Sequence, residues 1–120
     1  MLRDILPSTK TYETKLYDHT WQIEVRMISY KAKQEYFAAL LKNKKVKEGE
    51  IEVTNINAVD LLETFKILFF SGLVSLKIDE QEEEINKDTY EYLINNLSQA
   101  CEWIQTCILE HNGNFFLMKK

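Results

Sequence analysis

The sequence predicts a single small α+β domain, mostly helical, with an N-terminal β-hairpin followed by three principal helices. Two patterns and one count carry that expectation. Trp21, Ile23, Val25 and Met27 alternate with Gln22, Glu24 and Arg26, the period of a strand with one wet face. Ala58, Leu61, Leu62, Phe65, Leu68 and Phe69 recur at i, i+3, i+4 spacing, the mark of a helix with one apolar face. Tyr90, Leu93, Ile94, Leu97, Ala100, Cys101, Ile104 and Ile108 do the same later on. The chain has 120 residues with only 3 Gly and 1 Pro, long enough to bury one core without a disulfide or metal.

Residues 1–10 read as a leader, in which Leu2, Ile5 and Leu6 can pack on the domain or on a partner and Pro7 breaks any local helix. The domain proper spans 11–113. A hairpin over 11–28 pairs Thr11 to Leu16 with Trp21 to Ile28 through a polar link around Asp18-His19, which lacks an Asn-Gly signature and leaves the register open. Ser29 caps a helix over about 29–43, with Tyr36, Phe37, Leu40 and Leu41 towards the core. Residues 42–55 are a lysine-rich, flexible connection with a short edge strand at Ile51 to Val53.

The central helix covers about 57–71. Asn57 caps it, Asp60 suits its first turn, and Gly72 stands where a left-handed residue ends many helices. Leu73 to Ile78 is either a strand or the exit of that helix into a packed loop. Asp79 to Glu84 is an acidic loop. Asp88 and Glu91 resemble a capping box opening a last helix over about 88–112, which Asn112-Gly113 stops. Residues 114–120 form a tail.

The formal net charge of −4 argues against nonspecific binding to nucleic acid or to an anionic membrane. Lys42, Lys44, Lys45 and Lys47 lack the interleaved aromatics of a nucleic-acid surface and read as a solvated loop. No stretch approaches the ~20 apolar residues that span a bilayer, and Met1 to Pro7 lacks the apolar run of a secretory signal, so a soluble, cytoplasmic protein is expected. Cys101 and Cys107 lie ~9 Å apart along one predicted helix, too far for an unstrained disulfide. They lack C-x-x-C spacing, and no metal or cofactor is expected. His19 and His111 have no triad pattern around them, and no glycine-rich phosphate loop is present, so no enzyme activity is expected.

The remaining functional signal is apolar side chains that project from the predicted core faces. These are Val59, Ile67 and Phe70 on the middle helix, Tyr92, Trp103 and Leu109 on the last, and Phe115, Phe116, Leu117 and Met118 in the tail. Either the hairpin or first helix covers them, or a partner does. A separate candidate is electrostatic: Asp79, Glu80, Glu82, Glu83 and Glu84 would dock a basic partner, as in an immunity protein or antitoxin.

The order of features also resembles a known family. Leu6-Pro7-Ser8 with Lys10, the Val25-Arg26 strand feeding the helix that starts Ser29 to Glu35, and the stop Ile108-Leu109-Glu110-His111-Asn112-Gly113 are similar to the tail assembly chaperones of long-tailed bacteriophages. The opening is equally similar to phage baseplate assembly accessory proteins. What the resemblance implies is a non-enzymatic chaperone in the cytoplasm of a bacterial host. It would escort the hydrophobic, helical tape-measure protein and recruit tail-tube subunits, and it could form a homo-oligomer. Many members of that family also exist in a longer, frameshifted form.

Overall fold

The computed structural model describes the backbone of residues 1–41, 45–47, 50–52 and 58–113, with side chains over 1–40 and 61–113. A single 3-10 turn at Leu2–Asp4 precedes β1 (Thr9–Leu16) and β2 (His19–Arg26). Then come α1 (Tyr30–Leu41), β3 (Lys45–Lys47), β4 (Glu50–Glu52), α2 (Ala58–Gly72), β5 (Leu73–Ile78), β6 (Gln81–Glu83), α3 (Lys87–Asn96) and α4 (Ser98–His111). The α+β expectation holds: an antiparallel sheet in the order β1-β2-β5-β6 is packed by helices, while β3 and β4 pair only with each other. The edge strand expected at Ile51 to Val53 is therefore Glu50–Glu52, one half of a separate two-stranded ribbon.

Strand β2 sits inside the sheet, and its alternation works as read. Trp21, Ile23 and Val25 are buried, and the Trp21 indole N–H donates to the Leu16 carbonyl at 3.1 Å. The wet face carries a cross-strand row of Glu13, Gln22, Lys77 and Glu82. The link between β1 and β2 is only Tyr17 and Asp18, both at positive φ (55° and 63°), a two-residue turn made without glycine. The left-handed conformation costs an ordinary residue ~1–2 kcal/mol. Tertiary contacts offset this for Tyr17, whose hydroxyl accepts the Gln99 N–H at 3.1 Å and whose ring lies 6.2 Å from that of Trp21.

Leu73 to Ile78 is a strand, and it is irregular for a reason. The register shifts so that Glu24 pairs with Ser75 but Val25 with Leu73. This bulge turns Val74 outwards and lets Leu73 and Leu76, three residues apart, both face the core. Helix α2 runs into β5 with no loop between them. Gly72 there is not left-handed, contrary to expectation; it is a place of close approach. A Cβ on it would meet Ile108 Cγ2 at 2.7 Å and Ile28 Cγ2 at 3.2 Å.

The helix ends follow capping chemistry. Ser29 Oγ accepts the Ala32 N–H at 3.1 Å, as expected. The last predicted helix is two. Asn86, not Asp88, caps α3 by accepting the Thr89 N–H. Leu97, at φ −129° and ψ 72°, separates α3 from α4. Asn96 beside it donates to the Tyr92 carbonyl at 3.1 Å, a side-chain competitor for helix bonding. At the far end Asn112 and the left-handed Gly113 (φ 76°) stop α4 where the sequence places the stop.

Asn112 does more than stop a helix. It is buried, and its Oδ1 accepts the Ile28 N–H at 2.9 Å. Its Nδ2 donates to the carbonyls of Ile108 at 2.8 Å and Arg26 at 3.3 Å. One side chain thereby ties the end of α4 to the junction between β2 and α1.

Candidate functional site

On the first described turns of α2, Thr64, Phe65 and Leu68 are buried, but the side chains of Leu61 and Leu62 are not. Leu61 and Leu62, expected in the core, are 53% and 42% exposed. Phe65, one turn on, is buried and forms the floor below them. Ile94 of α3 and Ser98, Cys101, Glu102 and Gln105 of α4 complete a groove of about 330 Å³. Its walls are mostly apolar and its one charge is Glu102, on the rim. The Tyr90 hydroxyl donates to the Leu62 carbonyl at 3.2 Å, and the Tyr90 ring stacks on Phe65 at 5.8 Å. The groove is thus braced by aromatic packing between α2 and α3, a preformed concave surface of the kind that receives an amphipathic helix.

The residues expected to bind a partner scatter. Ile67 is half-buried and packs on the core, on the side of α2 where α1 lies. Phe70 is 40% exposed, with its ring against Phe69 and Tyr90 at 5.0 and 5.5 Å. Trp103 is half-buried against the core. Leu109 is buried, which corrects the expectation that it projects outwards: by helical spacing it sits beside Ile108 on the broad face that α4 turns to the rest of the domain. Tyr92 is exposed. The Val59 side chain, Asn57 and the tail residues Phe115, Phe116, Leu117 and Met118 lie outside the described residues. The site that the sequence reading missed is therefore the opposite face of α2. Periodicity groups Leu61 and Leu62 with Phe65 and Phe69 but carries no sign of where the covering helices end.

The acidic run is not one loop. Asp79 and Glu80 form a second two-residue turn at positive φ (52° and 70°), and Gln81–Glu83 is the edge strand β6. Glu80, Glu82, Glu83 and Glu84 are exposed. Asp79 has a structural task. Its Oδ1 accepts the Thr20 N–H at 2.9 Å, its own N–H donates to the Thr20 carbonyl at 2.8 Å, and its Oδ2 accepts from His19 Nδ1. The Thr20 bond first, and the His19 bond second, hold its carboxyl below the usual value of 3.8. A depressed carboxyl contributes stability that is present above its unfolded value and lost as pH falls through its folded one. Asp79→Asn keeps a side chain suited to positive φ but removes the charge. It is expected to lower Tm at neutral pH, with the difference from the parent shrinking to nothing in strong acid. A difference that persisted unchanged in acid would remove charge as the cause.

Burial pushes the thiols of Cys101 and Cys107 up to about 11, so both are neutral and poor nucleophiles at neutral pH. Among the described residues no group of three or more His, Cys, Asp or Glu could hold a metal, and no helix is long and apolar enough to cross a membrane. Comparison of the chain with family models, with curated protein sequences and with solved structures finds no match.

Proposed function

We propose that this protein is a non-enzymatic assembly chaperone that holds an amphipathic helix of a partner in the groove between α2 and the α3–α4 pair. The observation that carries this is the exposure of Leu61 and Leu62 above a buried Phe65, inside a concave surface rather than on a convex one. Apolar side chains of a partner helix at i, i+3 and i+4 would fill it, and a basic side chain would meet Glu102. The likeness of the opening and closing motifs to phage tail assembly chaperones supplies the partner on this reading: the apolar, helical tape-measure protein, bound in the cytoplasm of a bacterial host. Leu62→Asp is expected to weaken binding of a tape-measure helical segment at least tenfold, the scale of a central interface residue. Because Leu62 is already exposed, the circular dichroism spectrum and Tm should hardly change. An unchanged affinity would remove the groove from the interface.

The exposure of Glu80, Glu82, Glu83 and Glu84 favours a second reading, an immunity protein or antitoxin that neutralises a basic partner. Salt separates the two. Docking through these carboxylates weakens steeply with ionic strength, whereas apolar capture in the groove does not.

A further inference from the structure

We propose that the edge of β1 away from β2, unpaired among the described residues, is the seam of a two-fold dimer, in which β1 pairs antiparallel with β1 of a second copy and joins two four-stranded sheets into one. This does not depend on the groove, which lies on the α2 side of α4.

The two edges of the sheet are unlike. β6 is three residues long, exposed and acidic, a blunted edge. β1 is eight residues long, and among the described residues β2 is its only strand neighbour. The phase of its free backbone groups can be read off. Thr20 turns both its N–H and its carbonyl to Asp79, on the β5 side. Its β1 partner, Lys15, therefore points its own backbone groups away from β2, into solvent. Alternation extends this to Glu13, Thr11 and Thr9. The Met27 N–H donating to the Ser8 carbonyl at 3.2 Å has the phase that this requires, with even-numbered residues bonded to β2.

A second copy is the occupant because the edge complements itself. Two-fold pairing sets wet-face residues opposite wet-face residues, so the axis passes through a residue. An axis at Glu13 would oppose two carboxylates directly. An axis at Thr11 or Thr14 shortens the ladder. With the axis at Tyr12, Thr11 pairs with Glu13 and Thr9 with Lys15 of the second copy as hydrogen-bonded pairs, and Lys10 faces Thr14. All four outward-facing residues then bond, and no like charges meet.

The helix above the seam fits the same geometry. α4 packs over β1 and β2. Its backbone N–H at Gln99 donates to the Tyr17 hydroxyl, and Glu110 faces Tyr12. Helical spacing puts Trp103 and Thr106 on that same β1-side face. Joining the sheets at ~4.8 Å strand spacing brings two α4 helices to ~10 Å, a packing distance, and the second helix completes the cover of the half-buried Trp103.

The test is the solution mass of the full chain by sedimentation equilibrium, from low micromolar to millimolar concentration, with residue-resolved amide exchange. The expected result is a reversible dimer in which the Thr9, Thr11, Glu13 and Lys15 amides gain protection as concentration rises. Thr11→Glu places a carboxylate opposite Glu13 twice and should weaken the dimer at least tenfold. Thr11→Lys, opposite the same Glu13, should strengthen it. Glu13→Pro removes an outward N–H and should give a folded monomer. If Glu13→Pro fails to fold, the two Thr11 variants still decide, since neither alters the backbone. A monomer at every concentration, or a dimer indifferent to the sign of the charge at position 11, would overturn the proposal.

Discussion

Asn112→Ala is expected to lower the free energy of unfolding by ~3 kcal/mol, the cost of leaving buried partners of one side chain unsatisfied. The Ile28 N–H loses its acceptor and the Arg26 carbonyl a donor, while the Ile108 carbonyl keeps the backbone N–H of residue 112. These groups lie at the meeting point of β2, α1 and α4. Against a total stability of ~5–15 kcal/mol for a domain of this kind, that is a large fraction. Asn112→Asp is expected to cost at least as much at neutral pH, because a carboxylate would face two carbonyl oxygens. Part of that loss should return in acid, where the protonated acid can donate again. Urea unfolding of both variants checks this. A midpoint within error of the parent for Asn112→Ala would show that the three bonds carry no net stability.

Gly72→Ala is expected to destabilise by ~1–3 kcal/mol through overpacking, less the few tenths to ~1 kcal/mol by which alanine favours a helix over glycine. The new methyl would sit 2.7 Å from Ile108 Cγ2, and Ile108 is fully buried with no direction in which to retreat. Ile108→Leu removes that Cγ2 by moving the branch one carbon outwards. The double variant Gly72→Ala/Ile108→Leu should therefore be more stable than the sum of the two single changes predicts. Additive losses would place the strain elsewhere, in the backbone of the α2–β5 junction rather than in the contact.

The strands and helices with regular periods were legible in the sequence. β2 alternates, and Tyr90, Leu93, Ala100, Ile104 and Ile108 are buried where the spacing puts them, but Cys107 and Leu109, outside that face, are buried as well. Three features were not legible, each for a physical reason. The bulge at Val74 breaks the period of β5, so Leu73 and Leu76 do not read as one face. The tight turns at Tyr17-Asp18 and Asp79-Glu80 use left-handed residues without glycine, held by contacts to Gln99, Thr20 and His19 that are distant in sequence, and by the nearby Trp21 ring. The break at Leu97 depends on two asparagines and a serine whose effect on a helix is weak until packing decides it. The groove was hidden for a related reason. Periodicity assigns a residue to a face of its own helix, but whether Leu61 and Leu62 are covered depends on how far α3 and α4 reach along α2.

The same limit explains the revised place of the middle helix in the functional account. Its side bearing Ile67 has α1 as a neighbour and Phe70 in an aromatic cluster. Among the described residues, the side of α2 that carries exposed leucines is the one bearing Leu61 and Leu62.

The most direct measurement is a titration of the full chain, with labelled Leu and Ile methyl groups, against a tape-measure helical segment. The groove account predicts that the methyl signals of Leu61, Leu62 and Ile94 shift together and saturate at one equivalent, while Ile23 and Leu76 in the core stay in place. Binding that left these three signals unmoved and shifted only residues on the sheet side of the domain would contradict it.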